Sequence, residues 1–298
     1  MKRVRYMLEA LGLIIGLAFL RRLSPDAASN FGGFVARNLG PRLPVSKRAL
    51  RNLRRAMPEL SEARRAEILR GMWDNLGRTV AEYPHLGQIT KPETGRVEWL
   101  DMEPVRRLAE SQVAGVLCSA HLANWEIMPV VAAQSGVDMT TIIREPNNPY
   151  VRGIVDRMRG VAGGARTPKG EAGAKESIQV LRTGRVLGAL IDQKLNRGLA
   201  VPFFGIDAMT AGAPAQLALR FRCPLILVRI ERTGPARFRL SAEGPLEAPD
   251  TGDRQQDTLM MTRRMNEILE SWIRARPEQW FWLHRRWPDA AYREAGLV

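Results

Sequence analysis

The sequence predicts an α/β fold: a central mainly parallel or mixed sheet flanked by helices, with an N-terminal helical membrane-attachment region. Three observations carry this expectation. Beyond Pro92, short apolar runs alternate with longer amphipathic segments, as layered strands and helices do. Before Pro92 the chain reads as helix and is strongly basic. Its first 22 residues hold an apolar segment bracketed at both ends by Lys and Arg.

In chain order, Lys2, Arg3 and Arg5 precede an apolar run from Met7 to Leu20, interrupted by Glu9 and closed by Arg21 and Arg22. That run is short for a span, which needs about 20 apolar residues. A signal peptide is disfavoured because a second amphipathic stretch, Ala27 to Leu39, follows in place of a small-residue cleavage site. The expectation is a helix lying in or dipping into the cytoplasmic leaflet, held by its basic flanks, with a buried core helix as the alternative. Residues 1–44 are therefore expected to form membrane-associated helices, and 45–298 an α/β domain whose first part, 45–91, is a basic helical lead-in. That lead-in carries Lys47, Arg48, Arg51, Arg54 and Arg55, and Pro58 and Pro84 punctuate it.

The strands expected beyond it are Val113 to Cys118, Met139 to Arg144, Val186 to Ile191, Leu225 to Glu231 and Phe238 to Ala242. The helices are Asn124 to Gln134, Pro149 to Arg159, Gly170 to Arg182, Gly212 to Phe221 and about Asp253 to Ala275. Cys118 and Cys223, the two cysteines, both fall in apolar runs, so they read as small core residues and not as a disulfide framework.

A formal charge of +14 over 298 residues points to a polyanionic partner. Nucleic acid is disfavoured: the arginines are scattered, no zinc-ligand spacing occurs and no helix-turn-helix is evident. An anionic membrane surface or an acidic protein remains.

The chemistry centres on Ser119-Ala-His-Leu-Ala-Asn-Trp-Glu126, which places His121 at a strand exit and Glu126 in the first turns of a helix. On a continuous helix, residues five apart point about 140° away from each other. A strand-to-helix turn capped by Asn124 removes that objection. An acid on one imidazole nitrogen leaves the other free to take a proton from a hydroxyl. Arg144 with Asn147 and Asn148, Asp192 with Gln193 and Lys194, and Val201 to Gly205 leading on to Thr210 all follow predicted strands. Ligands on α/β sheets bind at such strand ends. Polar residues there are also common turn formers.

These residues resemble the bacterial lipid A biosynthesis (late or secondary) acyltransferases, a branch of the lysophospholipid acyltransferase group. The likeness rests on the His121–Glu126 block, Arg144-Glu-Pro-Asn-Asn-Pro, Leu190-Ile-Asp-Gln-Lys followed by Val201-Pro-Phe-Phe-Gly and Thr210, and Pro277-Glu-Gln-Trp-Phe-Trp-Leu-His-Arg-Arg-Trp287. Where that family's motif often has Gly two residues after the histidine, this chain has Ala123. The resemblance implies transfer of an acyl chain from acyl carrier protein, or acyl-CoA, to a hydroxyl of a lipid A precursor at the cytoplasmic face of the inner membrane. No cofactor and no metal are implied. His121 is then the general base and Glu126 its orienting acid. Arg144, Asn147, Asp192, Gln193 and Thr210 are the expected substrate-binding residues, with Arg144 set toward a lipid phosphate or the developing oxyanion.

Rival readings keep part of this picture. The same chemistry could act on another glycolipid or a lysophospholipid, and a noncatalytic basic membrane-binding protein would share the charge. A metal hydrolase built on His121 and Glu126 is hard to assemble, because His85 and His284 belong to unrelated segments. Trp280, Trp282, Arg285, Arg286 and Trp287 suit either a membrane interface or a cap over the sheet, and stand outside the expected catalytic set.

Overall fold

In this computed structural model, which describes residues 2–143, 146–161, 165–168 and 170–297, nine strands follow a helical N-terminal third. The strands are β1 (Val97–Asp101), β2 (Gly115–Ser119), β3 (Met139–Ile143), β4 (Ala165–Pro168), β5 (Val186–Leu190), β6 (Leu199–Phe203), β7 (Ile206–Thr210), β8 (Leu225–Gly234) and β9 (Arg237–Glu243). Seven of them form one sheet in the order β1-β9-β8-β2-β5-β3-β4, and β6 and β7 pair as a separate hairpin. Every neighbour in the seven-stranded sheet is parallel except β8–β9. The mixed, mainly parallel α/β sheet expected from the sequence is therefore present.

Central β2 is buried along its whole length, which explains why it reads as an unbroken apolar run and not as an alternating one. Its side chains divide between two cores. Val116 and Cys118 join a cluster with Trp280, Trp282 and Trp287, while Leu117 faces Ile127, Val131 and Val228 on the opposite side.

The helices are α1 (Lys2–Leu20), α2 (Pro25–Leu39), α3 (Ser46–Ala56), α4 (Glu62–Glu82), α5 (Leu86–Ile89), α6 (Glu103–Ser111), α7 (Met128–Gln134), α8 (Pro149–Val161), α9 (Glu171–Arg182), α10 (Ala213–Phe221), α11 (Arg254–Ala275) and α12 (Asp289–Glu294). Ser24, Ser61 and Asp253 cap α2, α4 and α11, each accepting backbone N–H bonds from the first turn. Helices α2 and α4 pass close enough for glycine to face glycine: a Cβ on Gly32 would lie 2.3 Å from the carbonyl oxygen of Gly77.

Helix α1 packs only a narrow face, Ala10 and Leu17, against Ile154 and Met158 of α8. Asn148 secures that contact by donating to the Tyr6 carbonyl and the Glu9 carboxylate, both at 2.9 Å. Val4, Met7, Leu8, Leu11, Ile14, Ile15 and Phe19 remain exposed. The Phe19 ring meets Phe31 of α2 edge-on at 5.3 Å, so this apolar surface continues onto Phe31 and Phe34. Among the described residues no helix is long and apolar enough to cross a membrane.

Candidate active site

Parallel register delivers the central pair. Ser119, the last residue of β2, sits opposite Leu190, the last residue of β5. Two residues further on, His121 and Asp192 therefore leave neighbouring strands at the same level. The His121 backbone N–H donates to Asp192 Oδ2 at 2.9 Å, and the ring Nδ1 lies 2.8 Å from Oδ1. Trp280 Nε1 donates to Oδ2 at 2.7 Å. Burial pushes the Asp192 carboxyl up, but the charge and hydrogen bonds of His121, with Trp280, outweigh it and hold the group well below the usual carboxylate range. An ionised Asp192 accepts, so Nδ1 carries the proton and Nε2 presents a lone pair.

That second nitrogen faces Gln193, whose amide nitrogen lies 3.0 Å from His121 Nε2 and 2.9 Å from His284 Nε2. Around the imidazole stand Trp125 at 5.0 Å, His284 at 5.4 Å and Phe281 at 6.3 Å between ring centres. The imidazole thus sits in a mostly aromatic wall, with the Gln193 amide at its Nε2.

The turn that carries His121 is fixed from both sides. Ala123 adopts a left-handed φ of 48°, a conformation glycine takes without strain. The C-terminal segment runs antiparallel beside it: Ala123 N–H donates to the Gln279 carbonyl at 3.0 Å, Phe281 N–H donates to the His121 carbonyl at 3.1 Å, and Leu122 bridges Trp280. Asn75 and Thr79 of α4 donate to the Ala123 carbonyl at 3.1 and 2.9 Å. Asn124 accepts from the Glu126 N–H, capping the next turn as expected, and donates to Glu82 at 2.8 Å. Glu82 is wholly buried and paired with Arg232 of β8. Removing one member of such a pair leaves an uncompensated buried charge, a loss of about 3–5 kcal/mol.

The remaining predicted residues divide. Glu126 is buried in the short turn Trp125–Ile127, where its Oε1 accepts from Trp125 Nε1 at 3.1 Å. Asp192, expected among the substrate-binding residues, sets its carboxylate on the His121 ring. The physical reason is that strand register outranks proximity in sequence. Gln193 does stand at Nε2 of His121. Asn147 is exposed just before α8. Thr210 is fully buried: it donates to the Ala208 carbonyl at 2.9 Å and accepts from Arg286 at 2.8 Å and Asn266 at 3.2 Å, so its hydroxyl braces the hairpin. Arg144 lies outside the described residues.

The C-terminal block takes the cap role, one of its two expected alternatives, and brings in His284, which was not expected. The C-terminal aromatic block is a structural cap: Trp280, Trp282, Trp287 and Arg286 are at most 1% exposed. Arg286 lies over the Phe203 ring at 4.6 Å and donates to Thr210, and burial lowers its guanidinium to about 10 while Asp192 pulls it back up. His284, in the same block, enters the site through Gln193. As one of three histidines in the chain, adjoining an arginine pair, it carried a signal that spacing alone could not connect to His121.

Neither cysteine is set up as a nucleophile. Burial pushes the Cys118 thiol up to about 12 and the Cys223 thiol up to about 11, leaving almost no thiolate at neutral pH. Ser119 is buried and donates to the Val228 carbonyl at 2.7 Å.

A family model described as bacterial lipid A biosynthesis acyltransferase matches residues 1–289. The chain is similar to the lipid A biosynthesis myristoyltransferase of Escherichia coli (strain K12), 27% identical over 242 residues, which are 80% of this chain and 73% of that protein. It is also similar to the lipid A biosynthesis palmitoleoyltransferase of the same strain, 24% identical over 257 residues, 84% of this chain and 80% of that protein. Lipid A biosynthesis acyltransferase 1 of Shigella flexneri matches at 27% over 242 residues, with coverage of 80% and 73%.

Proposed function

The chain belongs to the bacterial lipid A biosynthesis acyltransferases, and from that premise we propose that it moves a fatty acyl chain from a thioester, on acyl carrier protein or coenzyme A, to a hydroxyl of a lipid A precursor at the cytoplasmic face of the inner membrane. The observation that carries the mechanism is the His121–Asp192 contact at 2.8 Å, which commits the ring proton to Nδ1 and leaves Nε2 as the base.

In this reading the acceptor hydroxyl takes the place of the Gln193 amide at His121 Nε2. Nε2 withdraws the hydroxyl proton as the oxygen attacks the thioester carbonyl, forming the C–O bond. The C–S bond then breaks, and the proton passes from the imidazolium to the departing thiolate. Asp192 holds the tautomer and stabilises the imidazolium between these steps. Glu126 acts as a positioning residue, because the Trp125 indole it holds packs on the imidazole. Gln193 and His284 line the path of the incoming hydroxyl. Arg144 is assigned from the sequence alone to a lipid phosphate or the developing oxyanion.

The exposed apolar face of α1, continued by Phe31 and Phe34 of α2, supports attachment within one leaflet. Arg3, Arg5, Arg21 and Arg22 flank it for anionic headgroups. Acylation of purified lipid A precursor by the purified chain, with the product weighed by mass spectrometry, tests the proposal; transfer to a lysophospholipid instead would reassign the acceptor.

A further inference from the structure

One group of arginines outside the proposed reaction centre is built into a pocket. Arg48 and Arg51 project from one face of α3, Tyr292 and Arg293 from α12, and Arg285 from the segment before it; with Asp289 they line a space of about 170 Å³. Four guanidinium groups therefore meet one carboxylate. That carboxylate already accepts from Arg285 at 3.2 Å. Arg48 donates to the Leu283 carbonyl at 3.3 Å. Arg48, Arg51 and Arg293 have no carboxylate partner among the described residues. Gathering like charges at a partly buried place costs free energy unless an anion joins them.

The pocket is tied to the proposed reaction centre through its wall. Asn52, on its wall, donates to the carbonyls of Trp282 and His284, both at 2.6 Å, and accepts from the Tyr292 hydroxyl at 2.5 Å. The backbone it holds is that of His284, whose ring reaches Gln193 and, through it, His121.

We infer that this pocket binds a phosphate group carried by one of the two substrates. Guanidinium forks match phosphate oxygens in pairs, and three uncompensated positive charges suit a multiply charged phosphate better than a carboxylate. The inference rests on the acyl-transfer reading for the identity of the substrates. A phosphorylated glycolipid supplies such a group from the acceptor side, and the phosphopantetheine arm of the donor supplies one from the other.

The test uses the full chain and the double variant Arg51→Ser/Arg293→Ser, which removes two groups with no carboxylate partner. Inorganic pyrophosphate, titrated at constant ionic strength, raises the thermal midpoint of the wild type and not of the variant. With phosphorylated acceptor, the variant shows KM raised about tenfold and kcat within about twofold. A rise in KM for the donor in its place assigns the phosphate to the donor arm and keeps the pocket. Protection by pyrophosphate without any change in either KM marks a site for free anions and overturns the assignment to a substrate; no protection and unchanged KM values overturn the pocket altogether. A wild type that transfers no acyl chain, yet loses pyrophosphate protection in the variant, sinks the acyl-transfer reading and leaves the anion site standing. If the double variant misfolds, Arg293→Gln alone, at an exposed position, gives the same readouts.

Discussion

His121 Nδ1 and Asp192 Oδ1 lie 2.8 Å apart although 71 positions separate them in the chain. The parallel pairing of β2 with β5 produces that contact, and the Asp192 carboxylate also accepts the His121 backbone N–H. Glu126, five residues from His121, is held by Trp125. The two acids are therefore expected to differ in what they do to the imidazole, and the difference is measurable.

Asp192→Asn removes the charge that fixes the tautomer, and kcat/KM is expected to fall about 10³-fold or more. Glu126→Gln keeps the packing of Trp125 and is expected to cost about tenfold, as loss of a positioning contact does. Steady-state kinetics of the two folded variants, with their pH profiles, check this; a larger loss in Glu126→Gln would return the orienting role to Glu126.

Acid stability follows from the same carboxylate. Asp192 is held below its ordinary value in the folded chain, so its stabilisation is complete above the unfolded value near 4 and is lost as the pH falls toward the depressed folded value. The slope it adds below about pH 4 approaches 1.4 kcal/mol per pH unit. Urea midpoints measured from pH 2 to 7 are expected to fall more steeply in the wild type than in Asp192→Asn, and equal slopes would contradict the depressed value.

Cysteine chemistry plays no part in this account. Cys118→Ala/Cys223→Ala is expected to keep activity within about twofold, with a stability loss of roughly 1–2 kcal/mol from the cavity at Cys118. Thiol reagents at neutral pH should leave the folded wild type active, whereas rapid inactivation with a trapped thioester would establish a covalent route.

Membrane attachment is assigned to the exposed side of α1. Leu8→Glu/Leu11→Glu/Ile15→Glu changes three residues that are 64%, 53% and 61% exposed, so the fold is expected to survive. Each apolar side chain withdrawn from the lipid boundary is worth about 2 kcal/mol, and together they should abolish co-sedimentation with anionic vesicles. Undiminished co-sedimentation would move the attachment elsewhere.

The sequence made legible those parts of the fold whose burial leaves a continuous mark. β2, β3, β5 and β8 read as largely apolar runs because neighbouring layers cover them, and β9 reads as an alternation of buried and exposed positions. β1 and β4 did not: β1 is mostly exposed, and β4 is four residues long and ends in proline, each at an edge of the sheet. The β6–β7 hairpin was hidden because its turn is Phe204-Gly205, both with positive φ, where Asn-Gly is the usual signal. In the site, His121 and the Asn124 cap were readable locally. The contact of Asp192 with the His121 ring, and the entry of His284, depend on strand register and on the return of the C-terminal segment, which no local spacing encodes. Ala123 shows the converse: its left-handed φ explains why glycine is the easier residue at that position.

The most direct test of the account is the mass of the lipid produced when purified wild-type and His121→Ala proteins meet a thioester donor and lipid A precursor. The account predicts that the wild type adds one acyl chain to the precursor and that the folded His121→Ala variant is slower by about 10³-fold or more. Acylation by His121→Ala at the wild-type rate would contradict it.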